Sequence, residues 1–324
     1  MLLLGANHMT AKAEVQPVPV SAAVLRAELK SAVIGQDVVE PVVDAYVRWR
    51  AGLAGLDRPV AAFMALGPTG TGKTLLVERL AAVLHGDLKK MIKIHCAEYQ
   101  HGHEVAKLIG APPGYIGHKE TQPRLSQRKI QEARSAGCGL TVVLFDEIEK
   151  AHWELWNLML GVLDKGDLHL GDGSAADLRQ TIIFLTSNVG SREIARTTGY
   201  RRQDTKTAMA SVRRQFSPEF LNRLTGYLEY RALGIGELRA IARREMMKAS
   251  ARIAEATGLT VTWDDEVVDV IATEALAEGM GARPIGRIIE RVVELPLAYQ
   301  VIAAGADSEI GVEVKVVDGR VVVA

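Results

Sequence analysis

Cysteine is scarce in this sequence: Cys96 and Cys138 are the two in 324 residues. They form no spaced framework, so a disulfide scaffold is excluded and a reducing cytoplasm is the natural compartment. No charge of one sign dominates. Lys and Arg number 39 against 39 Asp and Glu, a formal net charge of zero, so no global field recruits nucleic acid or an anionic membrane. Long apolar runs are missing near the start: Met1–Leu4 is broken by Gly5-Ala6-Asn7-His8, far short of a signal peptide or membrane span. Internal repeats and low-complexity tracts are absent as well. What remains, 48% hydrophobic and 24% charged residues, suits a soluble globular chain long enough for two domains, one of them small.

Against that plain background one segment stands out, Gly67-Pro68-Thr69-Gly70-Thr71-Gly72-Lys73-Thr74. It fits the phosphate-loop pattern, in which backbone N–H groups wrap phosphates, Lys73 reaches the β/γ-phosphates and the Thr74 hydroxyl ligates Mg²⁺. A plain glycine-rich turn has the same letters. The context favours the phosphate loop, because Val60–Leu66 reads as a buried strand and Leu75–Leu84 as the helix leaving the loop, its N-terminus facing the anion. A second motif lies downstream. Thr141–Phe145 is a short β-branched run suited to a parallel strand covered on both faces. Asp146 stands at its C-terminal end, placed to hold Mg²⁺, and Glu147 beside it is the base for an attacking water. A solvated helix cap is the alternative for this acidic pair, and the upstream loop argues against it. Together the motifs predict hydrolysis of a nucleoside triphosphate.

Further strand-like segments are Met91–Cys96, Thr181–Thr186 and Tyr227–Tyr230, with helical patterns between several of them. That alternation predicts a parallel sheet with covering helices. Val24–Leu29 and Val38–Ala51 show helical spacing, after a proline-stiffened lead-in through Val15–Val20 for which Met9 is an equal start. Beyond Leu233 the pattern changes: a long helix over Ile235–Ala256, a strand at Leu259–Trp263, a helix over Glu266–Ala277 and another opened by Pro284. Gly311–Val317 and Arg320–Val323 flank Asp318-Gly319, a two-residue hairpin signal. The expected divisions are a lead-in at 1–22, a nucleotide-binding domain at 23–233 and a small domain at 234–324.

Several motifs, in order, resemble those of the Clp-type AAA+ unfoldases and disaggregases, and more narrowly the second ATPase module of the double-ring disaggregase. Val33-Ile34-Gly35-Gln36 resembles the segment lining the adenine pocket, and Leu108–Gly117 is close to the central-pore loop. Phe145–His152 matches the metal and base motif, and Leu185-Thr186-Ser187-Asn188 the first nucleotide sensor. Phe216–Leu224 matches the arginine-finger segment, and Gly281-Ala282-Arg283-Pro284 the second sensor. The resemblance covers about residues 23–323. It implies an α/β fold: an AAA+ P-loop NTPase with a parallel five-stranded sheet, helices on both faces, and a small mixed α/β C-terminal domain. It implies ATP and Mg²⁺ as cofactors, with Ile34, Gly67 to Leu75, Asp146 and Arg283 binding nucleotide and Thr74 and Asp146 holding the metal. Asn188 would bond the lytic water or γ-phosphate, where a turn-forming Asn is the alternative. Arg223 would reach a neighbouring subunit's site, where a locally paired surface arginine is the alternative. Gly114, Tyr115, Ile116 and Gly117 would grip an extended polypeptide in the axial channel of a homo-oligomer, expected as a hexameric ring. A proline-glycine turn with a packed tyrosine competes with that assignment.

The chain also departs from the family. His118-Lys119-Glu120-Thr121-Gln122-Pro123 replaces the acidic residues and Gly-Gly pair that usually follow the pore loop. No Ile-Gly-Leu or Ile-Gly-Phe tripeptide lies between Asn188 and Phe216, so docking onto the barrel peptidase is not expected. His95, Cys96, His101 and His103 cluster without the spacing of a closed zinc site, which favours structural roles. Residues 191–214 hold seven basic and two acidic side chains. A solvated or inter-subunit face is favoured over a nucleic-acid patch, since only Tyr200 could stack. Asp264, Asp265, Glu266, Asp269, Glu274 and Glu278 have no base near them in the sequence and offer a complementary acidic face for ring closure. The expected function is an ATP-driven, cytoplasmic protein-remodelling motor with no membrane partner. A non-threading switch acting on one partner complex and, behind it, a nucleic-acid motor are the competing readings.

Overall fold

Three unbroken apolar runs in the sequence become three adjacent strands. In the computed structural model, which describes residues 20–110, 123–191, 202–304 and 311–323, β1 is Ala61–Leu66, β2 Ile92–His95, β3 Thr141–Asp146, β4 Asp167–His169, β5 Ala175–Asp177, β6 Thr181–Ser187 and β7 Gly226–Glu229. One five-stranded sheet runs in the order β2-β3-β6-β1-β7, and all its pairings are parallel. Burial on both faces explains why its central strands lack polar alternation. Along β1, Ala62, Met64 and Leu66 enter one core with Leu155, Met159 and Val162 of the Trp153–Lys165 helix. Ala61, Phe63 and Ala65 enter the other, with Leu25 and Leu29 of the Ala22–Ala32 helix and Leu76 and Leu80 of the Lys73–His85 helix. The sheet is therefore sandwiched, as expected.

Local chemistry sets the helix ends. Ser21 Oγ accepts the N–H of Val24 at 3.2 Å and starts the Ala22–Ala32 helix just upstream of the expected segment. The helix after the phosphate loop begins at Lys73, not Leu75, and closes at Gly86, whose N–H donates to the Ala82 carbonyl. The short antiparallel pair β4–β5 was not expected, although Asp172-Gly173 between its strands carries the same turn signal as Asp318-Gly319.

Buried residues from Leu233 onward form a third core. Leu238, Ile241 and Met246 of the Ile235–Thr257 helix pack there with Val267 and Ile271 of the Asp265–Glu278 helix and with Ile285 and Ile288 of the Pro284–Ile289 helix. β8 (Val261–Trp263), β9 (Val312–Val317) and β10 (Arg320–Val323) form a mixed sheet, β8 parallel and β10 antiparallel to β9. Asp318 (φ 50°) and Gly319 (φ 75°) both turn left-handed at the β9–β10 hairpin. Between the Pro284–Ile289 and Leu295–Ala304 helices the chain widens into a π-helical turn, Glu290–Glu294, where the Leu295 N–H donates to the Glu290 carbonyl. Pro296 lacks the N–H that an α-helical turn would need there, which accounts for the widening.

One expectation is corrected. The acidic residues after β8 are not short of bases: Asp269 pairs with Arg239 at 2.6 Å, Asp265 with Arg243 at 2.9 Å and Glu278 with Arg287 at 2.5 Å, and Glu274 pairs with Arg291. These arginines lie on neighbouring helices well away in sequence, so only packing brings them close. The face is largely neutralised and no longer supports charge-driven ring closure. Of the basic stretch 191–214, residues 192–201 lie outside the described residues, and Arg213 and Arg214 stand in the last turn of the Arg202–Gln215 helix. Among the described residues no helix is long and apolar enough to cross a membrane.

The sandwich makes a stability prediction. Phe184 of β6 is fully buried, with its ring 5.8 Å from that of Phe63. Phe184→Ala is expected to cost about 3–5 kcal/mol, read as a lowered urea midpoint for loss of the sheet. An unchanged midpoint would show that the central layer is not what holds it.

Candidate functional site

The C-terminal ends of β1, β3 and β6 are level, because Leu66 pairs with Ser187 and Phe145 with Leu185. The phosphate loop leaves β1, Asp146 ends β3 and Asn188 follows β6, so the expected site residues emerge side by side. A cleft of about 820 Å³ opens above them. It is lined by Ile34, Thr69, Gly70, Thr71, Gly72, Lys73, Thr74, Leu75, Asp146, Glu147, Asn188 and Arg283. Gly67 and Pro68 lie at the base of the loop, and their carbonyls accept from Lys73 Nζ at 2.5 and 2.9 Å. Gly114, Tyr115, Ile116 and Gly117 fall outside the described residues.

Polar contacts tie these groups into one network. Lys73 Nζ also donates to Asn188 Oδ1 at 2.9 Å, and Asn188 Nδ2 to Glu147 Oε1 at 3.4 Å. Thr74 Oγ1 lies 3.4 Å from Asp146 Oδ1. Glu147 has a left-handed backbone, φ 58° and ψ 53°, uncommon for a residue with a Cβ and a local strain that points to function. Its Oε2 accepts from Lys150 Nζ at 2.5 Å.

Two supporting residues had no separate role in the sequence reading. Thr186 Oγ1 donates to Asp146 Oδ1 at 2.6 Å and accepts from the Glu147 N–H at 2.9 Å, so one hydroxyl fixes both acidic residues. Glu149 Oε1 accepts the Asn188 N–H at 2.9 Å, while its buried Oε2 has no hydrogen-bond partner. A polar residue ending an apolar strand was the available signal for Thr186. Nothing in the sequence separated Glu149 from an ordinary solvated acid.

The C-terminal unit closes one wall of the cleft. Gly70 has φ 75°, and a Cβ there would lie 2.1 Å from the Met280 carbonyl oxygen. The Ala282 N–H donates to the Gly70 carbonyl at 2.9 Å, which brings Arg283 over the loop. Arg244 reaches from the Ile235–Thr257 helix to the Ser31 and Ala32 carbonyls at 3.1 and 2.8 Å, capping the helix that leads to Ile34. Gln36 exchanges hydrogen bonds with the Arg231 backbone at 2.9 and 2.8 Å.

Arg223 is not brought to this cleft. It caps the short Pro218–Asn222 helix, with Nη1 donating to the Glu219 carbonyl at 3.2 Å and Nε 3.4 Å from Asp164 Oδ1. Among the described residues no group of three or more His, Cys, Asp or Glu converges as a metal site. His101 and His103 stack with ring centroids 5.6 Å apart, and Cys96 is buried with its thiol pKa pushed up.

Residues 58–227 match the family model described as AAA domain (Cdc48 subfamily), and residues 233–316 match the C-terminal, D2-small domain of ClpB protein. The chaperone protein ClpB of Meiothermus ruber is 40% identical over 283 residues, covering 86% of this chain and 32% of the relative. That of Staphylococcus aureus (strain COL) is 39% identical over 282 residues, again 86% and 32%. Among solved structures, a closed-state reconstruction of Hsp104 with ATPyS and FITC casein superposes with TM-score 0.83 at 30% identity, covering 93% of this chain and 51% of that one. An extended S. cerevisiae Hsp104:casein complex gives TM-score 0.82 at 28% identity, covering 93% and 52%. The chain thus spans about a third of the length of these curated relatives and about half of these solved chains.

The buried lysine makes the site pH-sensitive. Burial pushes the Lys73 ammonium down from 10.5 to about 8, with Arg283 pressing the same way and Glu149 and Asp146 opposing. A polyphosphate beside Lys73 favours the charged form and raises that pKa, so above about pH 8 binding takes up a proton and affinity falls as pH rises. Calorimetry of a nucleoside triphosphate at about pH 8.5 in two buffers of different ionisation enthalpy should give different heats. Equal heats would mean that Lys73 holds its proton without the phosphates.

Proposed function

The chain belongs to the Clp-type AAA+ family, and from that membership we propose that it is an ATP-driven protein-remodelling motor working as a ring of identical subunits. The observation that carries this reading is the convergence of the phosphate loop, Asp146, Glu147 and Asn188 at the level ends of three adjacent strands. Division of the chain at 23–233 and 234–324, behind a lead-in at 1–22, belongs to the same proposal, as does a cytoplasmic setting.

ATP enters with its base against Ile34 and its phosphates on the loop backbone between Gly67 and Leu75. Lys73 exchanges the Gly67 and Pro68 carbonyls for the β/γ-phosphate oxygens. Thr74 Oγ1 and Asp146 Oδ1, 3.4 Å apart, form the hard oxygen set that fits Mg²⁺. That ion, when bound, neutralises charge on the phosphates. Glu147 takes the proton of the attacking water as its oxygen bonds to the γ-phosphorus and the bond to the β-phosphate oxygen breaks. Asn188 orients the water through its contact with Glu147. Thr186 and Glu149 hold these groups in place without touching substrate. Arg223, which does not line its own cleft, stabilises the transition state in the neighbouring subunit. Arg283 contacts the phosphates of its own subunit and passes their loss to the C-terminal unit through the Gly70–Ala282 contact.

The substrate is an extended polypeptide gripped by Tyr115 between Gly114, Ile116 and Gly117. Support comes from the solved relatives, whose complexes contain casein. A hexamer is the ring size this family resemblance favours. No tripeptide for barrel-peptidase docking is present between Asn188 and Phe216, so docking onto that peptidase is not part of the reading.

Glu147→Gln tests the chemistry. Turnover should fall by about 10²–10⁴ while ATP binding persists, because Asp146 and the loop are untouched. Near-normal hydrolysis would remove Glu147 from the base role.

Tyr115→Ala separates threading from the competing switch mechanism. A threading motor loses unfolding of a labelled client and keeps its ATPase. Undiminished client work by the variant would favour a switch that assembles or dismantles a partner without pulling it.

A further inference from the structure

The Trp153–Lys165 helix joins two places that have no contact in sequence. Near its N-terminus, Trp156 Nε1 donates to the Ile148 carbonyl at 3.0 Å, one residue past Glu147. The same indole packs tilted against Phe216 with centroids 5.0 Å apart, and Phe216 stacks on Phe220 at 5.7 Å. These rings fix the Pro218–Asn222 helix, whose Ser217 Oγ accepts the Phe220 N–H at 3.3 Å. The platform under Arg223 is therefore rigid, and only the direction of the guanidinium remains to be set.

Asp164 sets it. This residue stands in the last turn of the helix, which closes at Gly166. A carboxylate there faces the negative end of the helix dipole, an unfavourable place unless a cation answers it. The cation is Arg223, whose Nε lies 3.4 Å from Asp164 Oδ1 and has no hydrogen-bond partner of its own. Nη1 is tied to the Glu219 carbonyl. One edge of the guanidinium is thus held toward its own subunit, and the side chain keeps 34% of its surface exposed, enough to present the opposite edge outward.

Resting on the reading that Arg223 acts across the subunit interface, we propose that Asp164 is a positioning residue that aims Arg223 into the neighbouring subunit's nucleotide site. Its effect is exerted in trans. The helix links the Glu147 segment of one site to the arginine that serves the next.

Mixed rings test this with the full chain. The parent mixture combines Glu147→Gln subunits, which lack the base but keep Arg223, with Arg223→Ala subunits, which keep the base. Sites pairing an intact Glu147 with a neighbour's intact Arg223 should restore part of the ATPase. Asp164→Asn added to the Glu147→Gln subunit should lower the restored kcat by about threefold to tenfold, the scale of a half-exposed charged pair, with KM for ATP unchanged. The same substitution added to the Arg223→Ala subunit should change nothing, and Asp164→Glu in the first placement should recover most of the loss. Equal losses in both placements would show a structural role, and no loss in either would show that Asp164 does not aim the arginine; both overturn the proposal. No recovery in the parent mixture, with co-assembly shown by sedimentation, would instead overturn the trans reading of Arg223 and the role of Asp164 with it.

Discussion

Everything at the cleft depends on the parallel pairing of β6 with β3 on one side and β1 on the other. Parallel strands covered on both faces must be apolar throughout, so their polar residues are pushed to the ends. Here Asp146, Ser187 and Gly67 appear within two residues of one another's level. A slip of one residue in β6 would move Thr186 away from Asp146 Oδ1 and the Glu147 N–H, and Asn188 away from Lys73, together. The register that satisfies the core therefore also assembles the site.

The second constraint is close approach between the two parts of the chain. At Gly70 the backbone lies so near Met280 that a side chain would collide with its carbonyl, and at Gly35 a Cβ would fall 2.3 Å from Glu237 Cγ. Both glycines have positive φ, so steric room and backbone conformation make the same demand. With these contacts, Arg244 and the Gln36–Arg231 exchange make the wall of the cleft from the C-terminal unit. Residues of both parts thus line the one cleft, the arrangement that the proposed nucleotide-driven motor requires.

Arg223 obeys a different logic. Its platform packs on Trp156, the same residue that supports the Glu147 segment, its guanidinium meets Asp164 at the other end of that residue's helix, and it does not line the cleft of its own subunit. It is held instead by an acidic partner and a backbone carbonyl of its own chain. The proposed trans role gives that arrangement a purpose, and it makes the ring a condition of catalysis and not only of threading.

The sequence by itself determined the strands of the two larger sheets, the phosphate loop, the acidic pair and the Asp318-Gly319 hairpin, because each is written in neighbouring residues whose spacing carries the signal. Strand and helix ends moved by one or two residues where caps such as Ser21 and the loop-to-helix junction at Lys73 decided them. Tertiary structure alone decided the rest. Thr186, Glu149 and Asp164 gain their roles from partners on other elements, and the acidic residues after β8 find their arginines only across packed helices. The π-helical turn before Pro296 has instead a local cause, the continuation of a helix through a residue with no N–H to give. A linear sequence records what a residue is and who stands beside it. Hydrogen bonds and ion pairs between distant segments depend on which faces the hydrophobic cores bring together, and that is settled when the layers pack.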